Sequence, residues 1–218
     1  MDRDDRDLKF VRAVGPDPTP VQREMEDRAR EDGFPILGPE LGGMVTMFAR
    51  MVGAERVFEF GSGFGYSASW FLRGLPETGH VVLTEIDPDE AELGREYVDR
   101  MGDLDRVTYE VGDALDAIER YDGPFDVVLV DHQKDRYVDA FEAVREKVPR
   151  GGLVIADNIV AGPADFDDVF AGVVESETGF DERTRGLVDY VEHVRSAPDF
   201  ISTVVPVRSG LALSYRTG

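Results

Sequence analysis

The sequence predicts an α/β protein with a doubly wound, mostly parallel sheet, and two observations support this fold class. Short segments rich in β-branched residues alternate with helix-length segments between residues 56 and 157, which is typical of a parallel sheet covered by helices on both faces. Later, DFISTVVPV and GLALSYR are separated only by the turn Arg208-Ser209-Gly210. This pair predicts a hairpin, so one strand near the C-terminus should run antiparallel.

The elements are expected in the following order along a single domain of residues 1–218. Residues 1–35 are polar, charged and interrupted by prolines, and we expect them to form an N-terminal helical extension with an exposed helix in PVQREMEDRAREDG. PELGGMVTMFARMVG has helical apolar spacing. The alternating strands are RVFEF, HVVLTEI, RVTYEV, FDVVLVD and GLVIAD, and the helices between them are YSASWFLRGL, PDEAELGREYVDRM, ALDAIERY and KDRYVDAFEAVREKV. Residues 159–195 carry no side-chain signature that predicts their role.

Composition excludes several classes of protein. The chain has no cysteine, which excludes disulfides, zinc-thiolate sites and thiol nucleophiles. It has neither an apolar run of membrane-spanning length nor the apolar core of a signal peptide at its N-terminus, so we expect a cytoplasmic protein. The net charge of −21 comes from acids spread along the whole chain. Such a surface disfavours nucleic-acid binding and is typical of a protein that works in a high-salt cytosol.

A glycine loop and two strand-end acids predict a nucleoside site. The first strand runs into EFGSGFGYS, with alternating glycines at Gly61, Gly63 and Gly65 that let the backbone approach a ligand closely. The second strand ends at Glu85, where a carboxylate can accept both ribose hydroxyls, and the third ends near Asp113. The loop lacks a Walker lysine and the G-x-G-x-x-G spacing, so S-adenosylmethionine is favoured over ATP or NAD. A plain strand–helix turn and a surface acid are the alternatives.

Two neighbouring strands end in metal-binding residue types. Asp131 follows the fourth strand, and Asp157 and Asn158 follow the fifth. One crossover helix joins these strands, so they should lie side by side, about 5 Å apart. Carboxylate and amide oxygens are hard ligands that suit Mg²⁺. Helix N-caps are the alternative explanation, because Asp and Asn both cap helices well.

Lys134 stands three residues after Asp131 at the expected start of a helix, where a cation is unfavourable. The chain has 24 basic residues, of which only Lys9, Lys134 and Lys147 are lysines. Beside a divalent cation and a sulfonium, the ammonium form of Lys134 would be destabilised, as a general base requires. Arginine cannot act in this way because it stays protonated. The alternative is a surface lysine in an Asp-rich helix start.

These motifs together resemble the magnesium-dependent catechol O-methyltransferases and the wider caffeoyl-CoA-type O-methyltransferase family. DHQKDRY and ADNIVAGPADF are similar to the DHxKDRY and ADNxxxPGxxDF patterns of the catechol enzymes, and EFGSGFGYSA and TEIDPD to the family's glycine loop and ribose motif. The resemblance covers about residues 35 to 215. It implies a seven-stranded class I methyltransferase fold, Rossmann-like, with S-adenosylmethionine and Mg²⁺ as cofactors. The expected acceptor is a hydroxyl of a small catechol-like or vicinal-diol molecule.

The resemblance also implies the roles of individual residues. Lys134 would take the hydroxyl proton. His132 would lie against the adenine, with Asp113 near the adenine amino group, and Gly61 and Ser67 would serve the methionine end. The implied metal ligands are Asp131, Asp157 and Asn158, and the implied cofactor-binding residues are Glu59, Gly61, Gly63, Gly65, Ser67, Glu85, Asp113, Ala114 and His132.

The acceptor end of the site is matched less closely. In the segment GLVDYVE, Asp189 aligns best with the acid that contacts the second hydroxyl of the acceptor, and Glu192 is its rival. Gln133 stands where the catechol enzymes have a tryptophan, which counts against catechol itself as the substrate. A homodimer is expected because related bacterial enzymes are often dimers.

Three other functions are kept as alternatives. An RNA methyltransferase on the same fold is disfavoured by the net charge and by the absence of an N-P-P-Y-type motif. A non-catalytic methyltransferase-like module is disfavoured by the intact set of Asp131, Lys134, Asp157 and Asn158. A nicotinamide dehydrogenase is disfavoured by the spacing of the glycine loop.

Overall fold

The computed structural model describes the backbone of residues 3–218 and the side chains of residues 6–218. Its α-helices are α1 (Arg3–Val14), α2 (Pro20–Asp32), α3 (Gly38–Val52), α4 (Tyr66–Gly74), α5 (Pro88–Met101), α6 (Ala114–Ile118), α7 (Tyr137–Arg145), α8 (Phe166–Phe170) and α9 (Glu182–Ser196). Its strands are β1 (Arg56–Phe60), β2 (His80–Glu85), β3 (Val107–Val111), β4 (Val127–Val130), β5 (Leu153–Ala156), β6 (Phe200–Val205) and β7 (Leu211–Arg216). One 3₁₀ turn, Leu104–Arg106, precedes β3, and another, Lys134–Arg136, precedes α7.

The strands form one sheet in the order β3-β2-β1-β4-β5-β7-β6. Within the described residues only β7 runs against the others, and it pairs antiparallel with both β5 and β6. The predicted fold class is therefore confirmed, including the C-terminal hairpin. In the register, Val130 at the end of β4 lies opposite Ala156 at the end of β5 and Phe60 at the end of β1. The residues that follow these three strands therefore emerge side by side.

Apolar side chains cover the sheet on both faces. On one face α2, α3, α4 and α5 pack around residues such as Leu41 and Trp70. On the other face α6, α7 and α9 pack around residues such as Phe141 and Tyr190. All residues of β4 and β5 are buried, as expected for central parallel strands. These two strands therefore form a rigid base for the residues at their carboxyl ends.

The helix predicted in residues 20–33 is present, but it is not exposed as expected, because one of its faces, including Met25 and Ala29, is buried in the core. Thr19 and Gln22 form a reciprocal capping box at the start of α2, with Pro20 in its first turn. Gly33 ends the helix in the left-handed conformation at φ +66°. In contrast, α1, α8 and α9 were not predicted as individual helices. Over the part of the chain that the structure describes, no helix has the length and apolar character needed to cross a membrane.

Candidate active site

The carboxyl ends of β1, β2, β4 and β5 open into a cavity of about 1380 Å³. In open α/β sheets, ligands bind at the carboxyl edge where the strand order reverses. In this sheet the order reverses between β1 and β4. Distant elements complete the walls: the N-terminal helices contribute Leu8, Arg12 and Glu26, and the β6–β7 turn contributes Arg208 and Ser209. The predicted cofactor, metal and proton-transfer residues all line this cavity except Gly65, which lies behind it.

The three glycines of the loop after β1 all adopt positive φ, between +50° and +80°. At Gly61 a side chain is excluded as well, because a Cβ atom there would lie 2.5 Å from the carbonyl oxygen of Asp131. At Gly65 a Cβ would lie 2.7 Å from the hydroxyl of Tyr109. The amide of Gly63 donates to Glu85 Oε2 at 2.7 Å. The loop therefore lies directly against the end of β4 and is tied to the end of β2.

Glu59, the acidic residue of β1, is 1% exposed. Its Oε1 accepts a hydrogen bond from the Ser67 hydroxyl, and its Oε2 has no hydrogen-bond partner among the described residues. Burial is the main reason that the pKa of Glu59 rises to about 8, and the carboxylates of Asp131 and Glu85 raise it further. A buried carboxylate oxygen without a donor is costly, and an ammonium group in the cavity would satisfy it.

The acids at the ends of β2 and β3 are held by backbone amides. Glu85 Oε1 accepts from the amides of Ile86 and Asp87, at 2.8 and 3.0 Å. Asp113 caps α6 by accepting from the amide of Leu115 at 2.8 Å. It also accepts from Arg136 Nη1 at 2.7 Å, and this contact holds the pKa of Asp113 below its ordinary value. Both carboxylates are thus fixed at the cavity wall, which Ala114 also lines.

His132 presents a flat ring to the cavity. The ring stacks on Tyr137 with centroids 5.6 Å apart and planes 9° apart, and it also contacts Phe60 at 5.4 Å. Neither ring nitrogen has a hydrogen-bond partner within the described part of the chain. Burial, helped by the charges of Lys134 and Arg136, lowers the pKa of His132 to about 4. The ring is therefore neutral at pH 7 and can contact a planar ligand.

The predicted metal residues converge at the ends of β4 and β5. Asp157 is 2% exposed, and its Oδ1 accepts from the Ser209 hydroxyl at 2.5 Å and from the Asn158 amide at 2.6 Å. Burial, together with repulsion from Asp131, raises the pKa of Asp157 to about 7, and burial also raises the pKa of Asp131. Asn158 has φ +63°, a conformation that asparagine tolerates.

These residues fit a hard divalent cation. The carboxylate of Asp131, which is partly exposed, repels that of the buried Asp157, and a cation held by both would relieve that repulsion. The possible ligands are two carboxylates and one amide. The site therefore differs from one built from three or more His, Cys, Asp or Glu side chains, of which the described residues contain none. Oxygen-only sites with few protein ligands are typical of Mg²⁺. N-capping does not explain Asp157, since its side chain accepts from Ser209 and from the next residue.

Lys134 is buried, with 7% exposure, so it is not a surface lysine. It lies in the 3₁₀ turn before α7. Its Nζ donates to Asp131 Oδ1 at 2.8 Å and to the hydroxyl of Tyr137 at 2.6 Å. The Tyr137 hydroxyl in turn donates to the backbone carbonyl of Asp157 at 3.1 Å. The ammonium group is therefore fixed beside the two predicted metal-binding carboxylates, where it can exchange a proton with a bound hydroxyl.

Asp189 does not join the other predicted site residues. It and Glu192 line a separate, shallower cavity of about 620 Å³ together with Asp135 and His193. The reason is the orientation of α9, which turns Gly186, Leu187 and Tyr190 toward the protein interior and Asp189 toward solvent. The residues of α9 that do line the large cavity are Glu182 and Arg183, in its first turn, while Gln133 lines it from the β4 side.

Several residues that line the cavity or support its walls were not predicted from the sequence. Tyr137 lies within the motif DHQKDRY, and its position in that motif was an available signal. Ser209 was identified only as part of a hairpin turn, although it hydrogen-bonds Asp157 across 52 positions of sequence. Arg208 has φ +53° and its Nη1 donates to the buried Glu40 at 3.0 Å. Arg12 of α1 similarly reaches Glu26 of α2 at 3.0 Å. No local sequence pattern predicts these contacts.

Comparisons with known proteins define the class of protein. Residues 30–217 match the family model described as O-methyltransferase. A catechol O-methyltransferase from Mycobacterium tuberculosis is 33% identical over 162 residues, which cover 72% of this chain and 74% of the relative. A catechol O-methyltransferase from Niastella koreensis is 33% identical over 137 residues, which cover 60% of this chain and 62%, or less than two thirds, of the relative.

Among solved structures, the O-methyltransferase TomG from Streptomyces achromogenes is similar over 100% of both chains, with a TM-score of 0.84 and 25% identity. It is involved in tomaymycin synthesis and was crystallised in complex with SAM, S-adenosylmethionine. The chain described here belongs to the O-methyltransferase family. The resemblance predicted from its motifs, and with it the class of enzyme, is confirmed.

Proposed function

We propose that this protein transfers the methyl group of S-adenosylmethionine to a hydroxyl of a small catechol-like or vicinal-diol acceptor, with Mg²⁺ as the metal. The observation that carries the proposal is the convergence of Lys134, Asp131, Asp157 and Asn158 at one edge of the cavity, beside the glycine loop. Two relatives similar to this chain are catechol O-methyltransferases. The glycine loop would bind the sulfonium cofactor, and the four residues beside it would bind the metal and the hydroxyl of the acceptor.

The cofactor would lie along the ends of β1, β2 and β3. Glu59, with its unpartnered Oε2, and Ser67 would hold the ammonium end, and the closely packed glycines Gly61 and Gly63 would leave room for the chain of the methionine. Glu85 would accept the ribose hydroxyls. Asp113, Ala114 and His132 would enclose the adenine, since the neutral His132 ring is already stacked and flat. Gly65 would support the loop from behind.

The metal would be held by Asp131, Asp157 and Asn158, and when bound it would acidify and orient the accepting hydroxyl. The protein's own residues do the rest. Ser209 fixes the Asp157 carboxylate, and Tyr137 and Asp131 fix the Lys134 ammonium group. When Lys134 is neutral, its Nζ takes the hydroxyl proton. A carbon–oxygen bond then forms as the carbon–sulfur bond breaks, and the electron pair of the broken bond stays on sulfur. Positioning of the two reactants in line supplies much of the rate.

The acceptor would enter between α2, the first turn of α9 and the segment after β5. Gln133 is exposed at this part of the cavity, where the catechol enzymes have a tryptophan. A polar amide there gives the acceptor a hydrogen-bonding partner in place of an aromatic face. The homodimer and the high-salt cytosol remain predictions from the sequence.

A substitution at Asp157 tests the proposal. Transfer of labelled methyl from S-adenosylmethionine is measured with a panel of catechols in molar KCl and limiting Mg²⁺. Asp157→Asn should lower turnover at least about tenfold, because a ligand should matter no less than the outer residues that support it. The matched control is Asp126→Asn, since Asp126 is a half-buried aspartate at the opposite edge of the sheet, where it accepts from the amides of Glu55 and Arg56. Equal turnover of the wild type and Asp157→Asn would contradict the metal assignment.

A further inference from the structure

The helix α9 lies against the 3₁₀ turn that carries Lys134, and its point of closest approach is a glycine. Gly186 is buried in the middle of the first half of α9. A Cβ atom at this position would fall inside van der Waals contact with the carbonyl oxygen of Lys134, and 2.6 Å from the Cα atom of Asp135. These are backbone atoms, so no side-chain rotation relieves the overlap. Only glycine allows α9 and the turn to pack at this distance.

A second contact of the same helix reaches the other side of Lys134. Four residues after Gly186, and therefore on the same face of α9, Tyr190 is completely buried. Its ring packs edge-on against Tyr137, with centroids 5.5 Å apart and planes at 79°. Tyr137 is the residue whose hydroxyl accepts from Lys134 Nζ at 2.6 Å. Thus α9 contacts the main chain of Lys134 through Gly186 and the partner of its ammonium group through Tyr190.

We propose that Gly186 is a positioning residue for methyl transfer, because it lets α9 hold the backbone of the Lys134 turn and thereby fixes Nζ beside the acceptor. The inference rests on the proposed function of Lys134 as the proton acceptor. It also gives a role to the segment GLVDYVE, which contains Gly186 and lies next to the active-site turn without contributing Asp189 to the cavity.

A methyl group at position 186 should push the turn away from α9 by a large fraction of an ångström. Displacements of about 1 Å from a productive geometry can cost about 100-fold in rate, so we expect Gly186→Ala to lower kcat by about 10- to 100-fold. Apart from His132, which follows β4, the proposed cofactor residues lie at the ends of β1, β2 and β3, away from α9. The dissociation constant for S-adenosylmethionine should therefore stay within about twofold of the wild type. Alanine is a better helix former than glycine, so α9 itself should persist.

The matched control is Gly74→Ala. Gly74 ends α4, and a Cβ atom there would lie 2.7 Å from the backbone carbonyl oxygen of Thr46. The variant therefore introduces the same kind of backbone overlap, remote from Lys134. We expect Gly74→Ala to lower the thermal midpoint as much as Gly186→Ala does, with kcat unchanged.

The scarcity of lysine provides a direct readout of position that needs no turnover. Labelling with [¹⁵N]lysine gives a spectrum with three backbone amide signals, from Lys9, Lys134 and Lys147. The signal of Lys134 is assigned by its loss in Lys134→Arg. In Gly186→Ala this signal should shift while the other two stay in place, and in Gly74→Ala all three should stay. An unshifted Lys134 signal in Gly186→Ala would overturn the inference.

Turnover of the catechol from the panel that the wild type methylates fastest then tests whether the displacement matters for catalysis. If α9 acts through Lys134, Gly186→Ala should cost 10- to 100-fold in an otherwise wild-type chain and less than about threefold in Lys134→Ala. An equal loss in both backgrounds, or an equal loss in Gly74→Ala, would contradict the inference. If Gly186→Ala does not fold, Tyr190→Leu takes its place in both measurements, with the same expected results. Full activity of Lys134→Ala would instead refute the proposed role of Lys134 as the proton acceptor. The amide spectra would still show whether α9 positions the turn.

Discussion

Replacing Glu59 by glutamine tests how this site uses a buried acid. Glu59 Oε1 accepts from Ser67, and Oε2 has no partner among the described residues. Glutamine keeps the shape and the oxygen that Ser67 needs, but it removes the ionisable group. The substitution should therefore remove one proton equilibrium from the folded protein and disturb the packing little.

The sign and size of the effect follow from the pKa. The folded protein raises the pKa of Glu59 from 4.5 to about 8, so between these values the folded chain binds a proton that the unfolded chain has released. Stability from this group is complete below pH 4.5 and is lost as the pH rises through 8. Each pH unit in this window costs about 1.4 kcal/mol. Between about pH 5.5 and pH 8, Glu59 alone should therefore lower the free energy of unfolding by about 3 kcal/mol.

The assay is urea unfolding of the protein without cofactor, at several pH values in constant high salt. The free energy of unfolding of the wild type should fall with pH more steeply than that of Glu59→Gln, with a difference of about 3 kcal/mol across the window. Cofactor binding gives a second readout: if an ammonium group pairs with Glu59, binding at pH 7 should release a proton from the wild type only. Calorimetry in buffers with different ionisation enthalpies measures that proton. Parallel stability curves for the two proteins would refute this account of Glu59.

Three further predictions concern the catalytic edge. Lys134→Met should lower turnover about 10²- to 10⁴-fold, while the affinity for S-adenosylmethionine measured by calorimetry stays unchanged. Lys134→Arg should be equally inactive. Recovery of turnover in Lys134→Arg would show that a positive charge alone suffices. Ser209→Ala removes the 2.5 Å hydrogen bond to Asp157 and should weaken Mg²⁺ affinity about 10- to 100-fold. The variant should then need more Mg²⁺ for half-maximal turnover but reach normal turnover at saturating Mg²⁺. An unchanged Mg²⁺ requirement would contradict this prediction. Asp189→Asn should leave kcat and KM within about twofold of the wild type, because Asp189 lies outside the large cavity, and a rise in the KM for the acceptor would contradict the structure's placement of α9.

Much of the fold and one half of the site could be predicted from the sequence because they depend on local patterns. Alternating strands and helices define a parallel sheet, and in such a sheet residues that follow neighbouring strands must meet. Asp131 and Asp157 were predicted to converge on this basis, and the pairing of Val130 with Ala156 brings them together. The buried position of Lys134 agrees with the reasoning from its rarity and its unfavourable place at a helix start.

The rest depends on contacts between distant segments, which no local pattern encodes. The polar start of α9 obscured its apolar face, so the orientation that places Gly186 inside and Asp189 outside could not be predicted from the spacing alone. The same holds for Ser209, whose role requires the hairpin turn to reach the end of β5. The placement of Leu8 and Arg12 over the cavity depends on how α1 packs against α3, and the charged sequence of α1 gives no sign of it.

The most direct test is methyl transfer from S-adenosylmethionine to a panel of small catechols by the wild-type protein, measured in molar KCl with Mg²⁺ and again with excess EDTA. We expect methylation of one hydroxyl with Mg²⁺, loss of that activity in EDTA, and its return when Mg²⁺ is restored. S-adenosylmethionine should remain bound in EDTA, because the residues proposed to hold it do not include Asp131, Asp157 or Asn158. Turnover that is equally fast in EDTA would contradict the role assigned to Asp131, Asp157 and Asn158.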